Sequence, residues 1–557
     1  MVDWAPSQAK TSGAVLTRHW AAALAVAVYF VVMMSYGATT ILQYPDERHY
    51  AYAAAYMVET GDWLIPVTPE GEVRLKKPIL PYWFGAAGFE LFGINPFGFR
   101  FFWVLGAAAI LALTYALALV LGAPRPAALF ALALTAGNPF FIRATVNSIP
   151  DIPLTVFLML ATLGFVRIFT SDGQAVPRWA PWAGWIGIAL AVQAKGLLPV
   201  LLVGIVLVHA SFFDRSRLRH VLSPLPILAA LAIVLSWFAL VAWTYPNEFT
   251  REFFGDQVTE KVSISPWRWL IALAGYSGVC IGSFLAFFPF LGLLRRRGEQ
   301  SRPRPVVLML MVWSLAVPVL FSFAGFVDPR YLMPILPVIA VLLALGLSAV
   351  EPERFARYSN RGIIAVAAVL TLVVALGMAV EAQLSSLAGG LLLGLFGLAL
   401  IAGYLLSACR RAETVPHLLA IGPLLLVILL YPPLRLIAQP DLGRPIAERI
   451  ASSGIAADRV FFIGTYLEAM TTRLHLGRAD PFRQVEELPS DLTSPCLVAT
   501  SDRALISDLR IRGYPIDIVN GPWRWRGPDE FFSALFSGTL ATALPANAEK
   551  AAIVRCP

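Results

Sequence analysis

Residues 20–42 read WAAALAVAVYFVVMMSYGATTIL, a predominantly apolar run without a single Asp, Glu, Lys, Arg or His. A helix rising 1.5 Å per residue needs roughly 20 such residues to cross the hydrocarbon core of a bilayer, so this run reads as a membrane span. Lys10 and Arg18 precede it, as bases precede a signal peptide. The run is longer than the roughly 7–15 apolar residues of a cleavable segment, which predicts an uncleaved first span. Comparable runs recur at 97–121, 126–142, 152–169, 179–194, 197–213, 221–243 and 267–294, and then at 305–324, 331–350, 362–380, 387–409 and 417–434. The pattern predicts about thirteen spans, the pair flanking Lys195 being among the shortest.

Composition agrees with that reading. The 557-residue chain is 58% hydrophobic and 14% charged, with a mean hydropathy of +0.70. So few charges cannot clothe a soluble globule, and a water-soluble enzyme, a disordered scaffold and a fibrous repeat are excluded. Lys+Arg number 43 against 35 Asp+Glu, but the bases lie in short loops and not in a nucleic-acid-binding stripe. Arg215, Arg217 and Arg219, then Arg295–Arg297, Arg302 and Arg304, then Arg354, Arg357 and Arg361, then Arg410 and Arg411 all fall on one side. The excess of positive charge in cytoplasmic loops makes that side cytoplasmic. Segments 43–96 and 244–266 and the tail then face away from the cytoplasm.

Beyond residue 435 the composition changes. Charges become frequent, and apolar runs shrink to strand length between turn residues. Residues 459–464 (RVFFIG) and 495–501 (PCLVATS) read as buried strands, and 446–451, 467–474 and 504–512 as helices. Alternating helices and short strands predict a compact α/β domain of about 120 residues. No glycine-rich nucleotide-binding loop follows either strand. Four cysteines show no metal-binding spacing; Cys496 and Cys556 can bridge or remain thiols, while Cys280 and Cys409 lie in or beside spans. The expected fold class is therefore a polytopic all-α membrane protein with a small C-terminal α/β extracytoplasmic domain, divided at 1–434 and 435–557.

Ionisable groups at the outer ends of spans are the informative ones, since charge at membrane depth is costly unless it faces a cavity or a partner. YPDERHY at 44–50 places Asp46, Glu47, His49 and Tyr50 directly after the first span. Acids, an imidazole and a phenol in so short a stretch suit a general base, substrate hydrogen bonds or a divalent metal ion. The bland alternative is that Asp46 caps the helix it precedes. Arg74, Lys76 and Lys77 precede Pro78, Tyr82 and Trp83, and bases beside an aromatic belt suit a lipid phosphate; ordinary snorkelling is the alternative. Asp151 opens the 152–169 span, Lys195 interrupts AVQAKGLLPV, and Arg330 and Tyr331 begin YLMPILP. Together these residues put acids and bases from several loops on one membrane face.

The order of these motifs resembles the lipid A aminoarabinose transferases and protein O-mannosyltransferases, which are GT-C glycosyltransferases. The resemblance runs from the first span to about residue 337. Asp46, Glu47, Tyr50 and Ala51 match the family's Asp-Glu-x-x-Tyr-Ala; Gly61, Asp62 and Trp63 its G-D-W; Lys77, Pro78, Tyr82 and Trp83 its Lys-Pro and aromatic pair; Phe92, Gly93 and Arg100 the stretch beyond. Asp151 falls on the second-loop aspartate, Lys195 and Gly196 on the Lys-Gly pair, and Pro329, Tyr331 and Pro334 on the Pro-x-Tyr-x-x-Pro signature.

The resemblance implies a GT-C membrane domain in a bacterial inner membrane, a polyprenyl-phosphate-linked sugar as donor and inversion at the anomeric carbon. It also implies an acceptor that is a lipid, glycan or protein. Asp46, aided by Asp151, would act on the acceptor hydroxyl. Lys77, with Lys76 or Lys195, would neutralise the leaving phosphate, while Glu47, His49, Tyr50, Tyr82, Arg330 and Tyr331 hold substrate. Two departures stand out. Lys76 occupies the place of a glutamate that helps hold a metal in aminoarabinose transferases, so a metal does not carry over, and Val327-Asp328 replaces a lysine before the tyrosine signature. Both point to a different sugar. A lipid flippase is the rival from another class, and a non-catalytic envelope subunit a third; a flippase predicts repeats and midplane charges, which the sequence does not display.

Overall fold

The computed structural model describes residues 12–38, 46–68, 71–171, 175–253, 265–284, 304–347, 352–410, 421, 425, 443–456, 459–463, 466–477, 483–485, 495–523, 528–546 and 548–555. The N-terminal part is built from α1 (Ser12–Gly37), α2 (Glu47–Thr60), α3 (Leu80–Phe92), α4 (Pro96–Val120) and α5 (Arg125–Ala136). It continues with α6 (Pro139–Val146), α7 (Asp151–Phe169), α8 (Trp179–Lys195) and α9 (Leu198–Phe213). Among the described residues six helices are long and apolar enough to cross a bilayer: His19–Gly37 within α1, then α4, α7, Pro224–Thr244, Pro305–Ser322 and Ala367–Leu384. Shorter apolar helices stand at Leu198–Phe213, Leu336–Leu347 and Leu387–Gly403. The expected span at 417–434 lies outside the described residues apart from 421 and 425. Leu225, Leu228, Leu235 and Trp243 stay exposed on the Pro224–Thr244 helix, the apolar exterior of an integral membrane protein.

Two expected spans differ in form. The run at 126–142 is broken into α5 and α6, bent by 61°. The Asn138 side chain accepts the backbone N–H groups of Phe140 and Phe141 at 3.0 and 3.2 Å, and Pro139 has no N–H to continue the first helix. The run at 331–350 begins its helix only at Leu336. Before it, Pro329–Leu332 forms a 3-10 turn, started by the Asp328 side chain accepting the Arg330 N–H at 3.2 Å. Tyr331 thus sits in a turn, outside the helix that the hydropathy pattern assigns to it.

Small residues fix the central helix pair. A Cβ built at Gly164 on α7 would stand 2.4 Å from the Gly184 nitrogen of α8, and one at Gly187 would stand 2.6 Å from the Ala161 nitrogen. The two backbones touch, which brings Asp151 at the start of α7 to Lys195 at the end of α8. At that end the chain turns through Gly196, whose φ of 92° favours a residue without a side chain. Gly164→Val should separate the pair; we expect a clearly lower melting midpoint in detergent together with lost activity, and an unchanged midpoint would contradict the close approach.

The tail carries a five-stranded sheet of β1 (Val460–Ile463), β2 (Arg483–Val485), β3 (Leu497–Thr500), β4 (Ile516–Trp523) and β5 (Ala548–Arg555), ordered β2-β1-β3-β5-β4. β1 pairs in parallel with β2 and β3, and β5 runs antiparallel to β3 and β4. β1, β3 and the helices Gly443–Ser453, Tyr466–Leu476 and Arg503–Ile511 coincide with expectation. β4 and β5 do not read as strands, because Gly521 and Pro522 punctuate one and the other opens with Glu549 and Lys550. The helix Tyr466–Leu476 docks on the membrane part: Met470 and Leu474 join its core, and Arg473 pairs with Glu59 of α2. Cys496 is disulfide-bonded; Cys556 lies outside the described residues.

Candidate functional site

The site is assembled on α2, whose first turn follows the first span. Asp46 occupies the N-cap position, yet its side chain makes no capping hydrogen bond. It reaches instead to Arg330, with Oδ2 at 3.2 Å from Nη1. Arg330 is also held by Asp328, whose Oδ2 lies 2.5 Å from Nε. The neighbouring Glu47 turns inward and is fully buried: its Oε1 lies 2.8 Å from Arg100 Nη1 on α4 and accepts the Ser148 N–H at 2.7 Å. A single carboxylate therefore ties α2, α4 and the loop before α7. Trp103 of α4 reinforces the junction by donating its indole N–H to the Ile149 carbonyl at 2.9 Å.

Asp151 is almost fully buried and pairs with Lys195 through Oδ1, while its Oδ2 is buried without a hydrogen-bond partner. The Lys195 ammonium also lies over the Tyr331 ring, 4.8 Å from its centre. This contact holds the ammonium between an anion and a π face. The first-loop segment contributes Arg74, Lys76 and Lys77 to the same cavity as Asp151 and Lys195. Glu252 pins that segment by accepting the Leu75 N–H at 2.8 Å.

These groups share one cavity of about 940 Å³, lined by Asp46, Tyr50, Arg74, Lys76 and Lys77 together with Asp151, Lys195, Arg330 and Tyr331. Leu197, Leu201, Phe253, Phe321 and Phe326 add apolar surface, so the cavity presents both charged and greasy lining. Burial, followed by the neighbouring Tyr82, raises the Tyr50 phenol well above its ordinary value; burial likewise raises Tyr82 and Tyr331. All three therefore remain protonated and able to donate at neutral pH.

Not every expected residue lines the cavity. Glu47 is committed to Arg100 and the Ser148 N–H and does not line the cavity. Tyr82 is buried behind Tyr50, their rings 5.1 Å apart, and His49 is partly buried away from the lining. Arg74 joins the lining although the sequence motif centred on Lys76 and Lys77; its signal was membership of the same basic stretch. Glu252 and Phe253 carried no signal, since nothing local ties 244–266 to residue 75. Among the described residues no three His, Cys, Asp or Glu side chains converge, and each lining carboxylate already holds a base. This donor set does not fit a divalent cation, which needs several oxygen ligands, and no step of the chemistry below runs through one.

The chain thus combines membrane-spanning helices, one of them broken and bent, with a cavity lined by charged and apolar side chains and an α/β tail. Residues 13–253 match the family described as dolichyl-phosphate-mannose-protein mannosyltransferase. An uncharacterized protein of Aquifex aeolicus is 28% identical over 309 residues, covering 54% of this chain and 58% of that one. The undecaprenyl phosphate-alpha-4-amino-4-deoxy-L-arabinose arabinosyl transferase 2 of Proteus mirabilis is 26% identical over 339 residues, 58% of each chain. The alignment thus spans under two thirds of the curated relatives it matches. The crystal structure of ArnT from Cupriavidus metallidurans bound to undecaprenyl phosphate superposes with a TM-score of 0.70 at 19% identity, over 96% of this chain and 98% of that one. Over residues 13–253 the chain is thus similar to the protein mannosyltransferases, and its fold is similar to that of the aminoarabinose transferase ArnT.

Proposed function

We propose that the protein transfers a sugar from a polyprenyl-phosphate donor such as an undecaprenyl phosphate sugar to an envelope acceptor: lipid A, another glycolipid or glycan, or a protein. The reaction takes place on the extracytoplasmic face of a bacterial inner membrane, in a membrane domain of about thirteen helices, with the α/β tail beyond residue 435 on the same face. The observation that carries this reading is the position of Asp46. A capping aspartate would point into its own helix; this one points across a cavity that also holds Arg74, Lys76 and Lys77.

The reaction follows from that arrangement. The apolar lining receives the isoprenoid, and the basic segment meets its phosphate, where charge-assisted contacts in a poorly hydrated cleft are strong. The acceptor hydroxyl, oriented by Asp46, attacks the anomeric carbon from the face opposite the phosphate. A bond forms between the acceptor oxygen and that carbon as the bond to the phosphate oxygen breaks. The phosphate takes the electron pair and leaves as polyprenyl phosphate, the hydroxyl proton passes to the Asp46 carboxylate, and the configuration inverts. Asp151, held by Lys195, orients the sugar.

Purified protein incubated with polyprenyl-phosphate sugars and envelope extracts tests the reading: a covalent product supports it, whereas movement of the intact lipid across a vesicle without transfer would make the protein a flippase. Lys77→Ala should raise the donor concentration needed for half-maximal rate by roughly 10–100-fold, the worth of one hydrogen bond to a charged group. An unchanged donor requirement would remove Lys77 from the phosphate site.

A further inference from the structure

The cavity's charge is lopsided in a way that bears on which sugar it accepts, and the argument rests on the donor reading above. Among the described residues its lining holds five basic side chains and two acids, and Asp328, which also pairs with Arg330, brings the acids to three. Both lining acids are already engaged, Asp46 by Arg330 and Asp151 by Lys195. A lipid phosphodiester brings one negative charge, too little to reverse this balance. The Proteus mirabilis relative is named for a 4-amino-4-deoxy sugar, which carries an ammonium group at neutral pH. Here such a group would meet no uncommitted carboxylate among the lining residues.

One polar atom is poised for the sugar. Asp151 Oδ2 is buried without a hydrogen-bond partner, and its carboxylate borders the cavity. A buried oxygen in that state favours a ligand donor. The Lys195 ammonium already sits on the other oxygen of the same carboxylate. A second cation there would stand a few ångströms from the first in a low-dielectric site, where like charges repel strongly. A hydroxyl satisfies the oxygen without that cost.

From these two observations we infer that the transferred sugar carries no cationic group: the protein uses a neutral or carboxylated sugar, one hydroxyl donating to Asp151 Oδ2, and discriminates against amino sugars. Lys76 contributes to the discrimination, since it adds a positive charge to the lining of the same cavity.

The test is competition binding on the full-length protein in nanodiscs, using a fluorescent polyprenyl phosphate as probe. The competitors are bare polyprenyl phosphate and the same lipid carrying a hexose, a hexuronate or a 4-amino-4-deoxypentose. The hexose and hexuronate donors should compete at least as well as bare polyprenyl phosphate, and the amino donor at least tenfold less well. Lys76→Glu should narrow that gap at least threefold. Equal or tighter binding of the amino donor overturns the inference while leaving the donor reading intact, and so does a gap that Lys76→Glu does not change. Failure of bare polyprenyl phosphate to bind would instead bring down the donor reading, and this inference with it.

Discussion

Asp46→Asn should lower sugar transfer by roughly 10²–10⁴-fold, the range in which removal of a positioned general base ordinarily falls. The protein itself should remain folded, with its melting midpoint close to that of the parent. The ion pair that the mutation weakens is half open to the cavity, Asp46 being 48% and Arg330 26% exposed, and solvent-screened pairs contribute little to stability. Arg330 also keeps Asp328 as a partner at 2.5 Å. The loss should appear in the turnover number, with donor binding nearly unchanged, because the basic segment at Arg74, Lys76 and Lys77 lies on a different stretch of chain. Initial rates across donor concentrations separate these quantities. Full turnover in a folded Asp46→Asn protein would eliminate the proposed chemistry.

Glu47→Ala, one residue along, should behave in the opposite manner. Its carboxylate is 0% exposed and its partner Arg100 2%, so truncation leaves a buried guanidinium beside an orphaned Ser148 N–H. Breaking a buried pair by removing one partner costs about 3–5 kcal/mol. Expression and melting midpoint in detergent should both fall, and whatever activity is lost should follow the folded fraction. Replacing both partners with apolar residues of similar size should recover part of the stability, since no charge is then stranded. If Glu47→Ala melted like the parent but no longer bound donor, Glu47 would be a ligand after all, and the buried pair would not be the keystone of the α2–α4 junction.

The contrast between these adjacent acids marks how far local sequence could be read. Asp46 and Glu47 are equivalent as letters in YPDERHY: each suits a helix start, a ligand or a base. What separates them is partners remote in the chain, Arg330 lying 284 residues from Asp46 and Ser148 lying 101 from Glu47. The same holds for Asp151 and Lys195, 44 residues apart and joined only because α7 and α8 pack backbone to backbone. Lys76, Lys77 and Tyr50 were legible because their neighbours in the cavity are also their neighbours in sequence. Glu252 was not, since the contact it makes is to a backbone N–H, which leaves no pattern.

Hydropathy is a local property, so the sequence alone determined that this is a many-span membrane protein, where most of its helices run, and that an α/β tail follows them. Periodicity and composition sense only whether a stretch prefers lipid, water or a buried strand. The bend at Asn138, the turn that holds Tyr331 outside its helix, and the different partners of Asp46 and Glu47 were decided only by the tertiary structure. Each depends on which distant group satisfies a polar atom once the helices pack. In a low-dielectric interior that pairing, and not the preference of the residue itself, sets where a charge can stay.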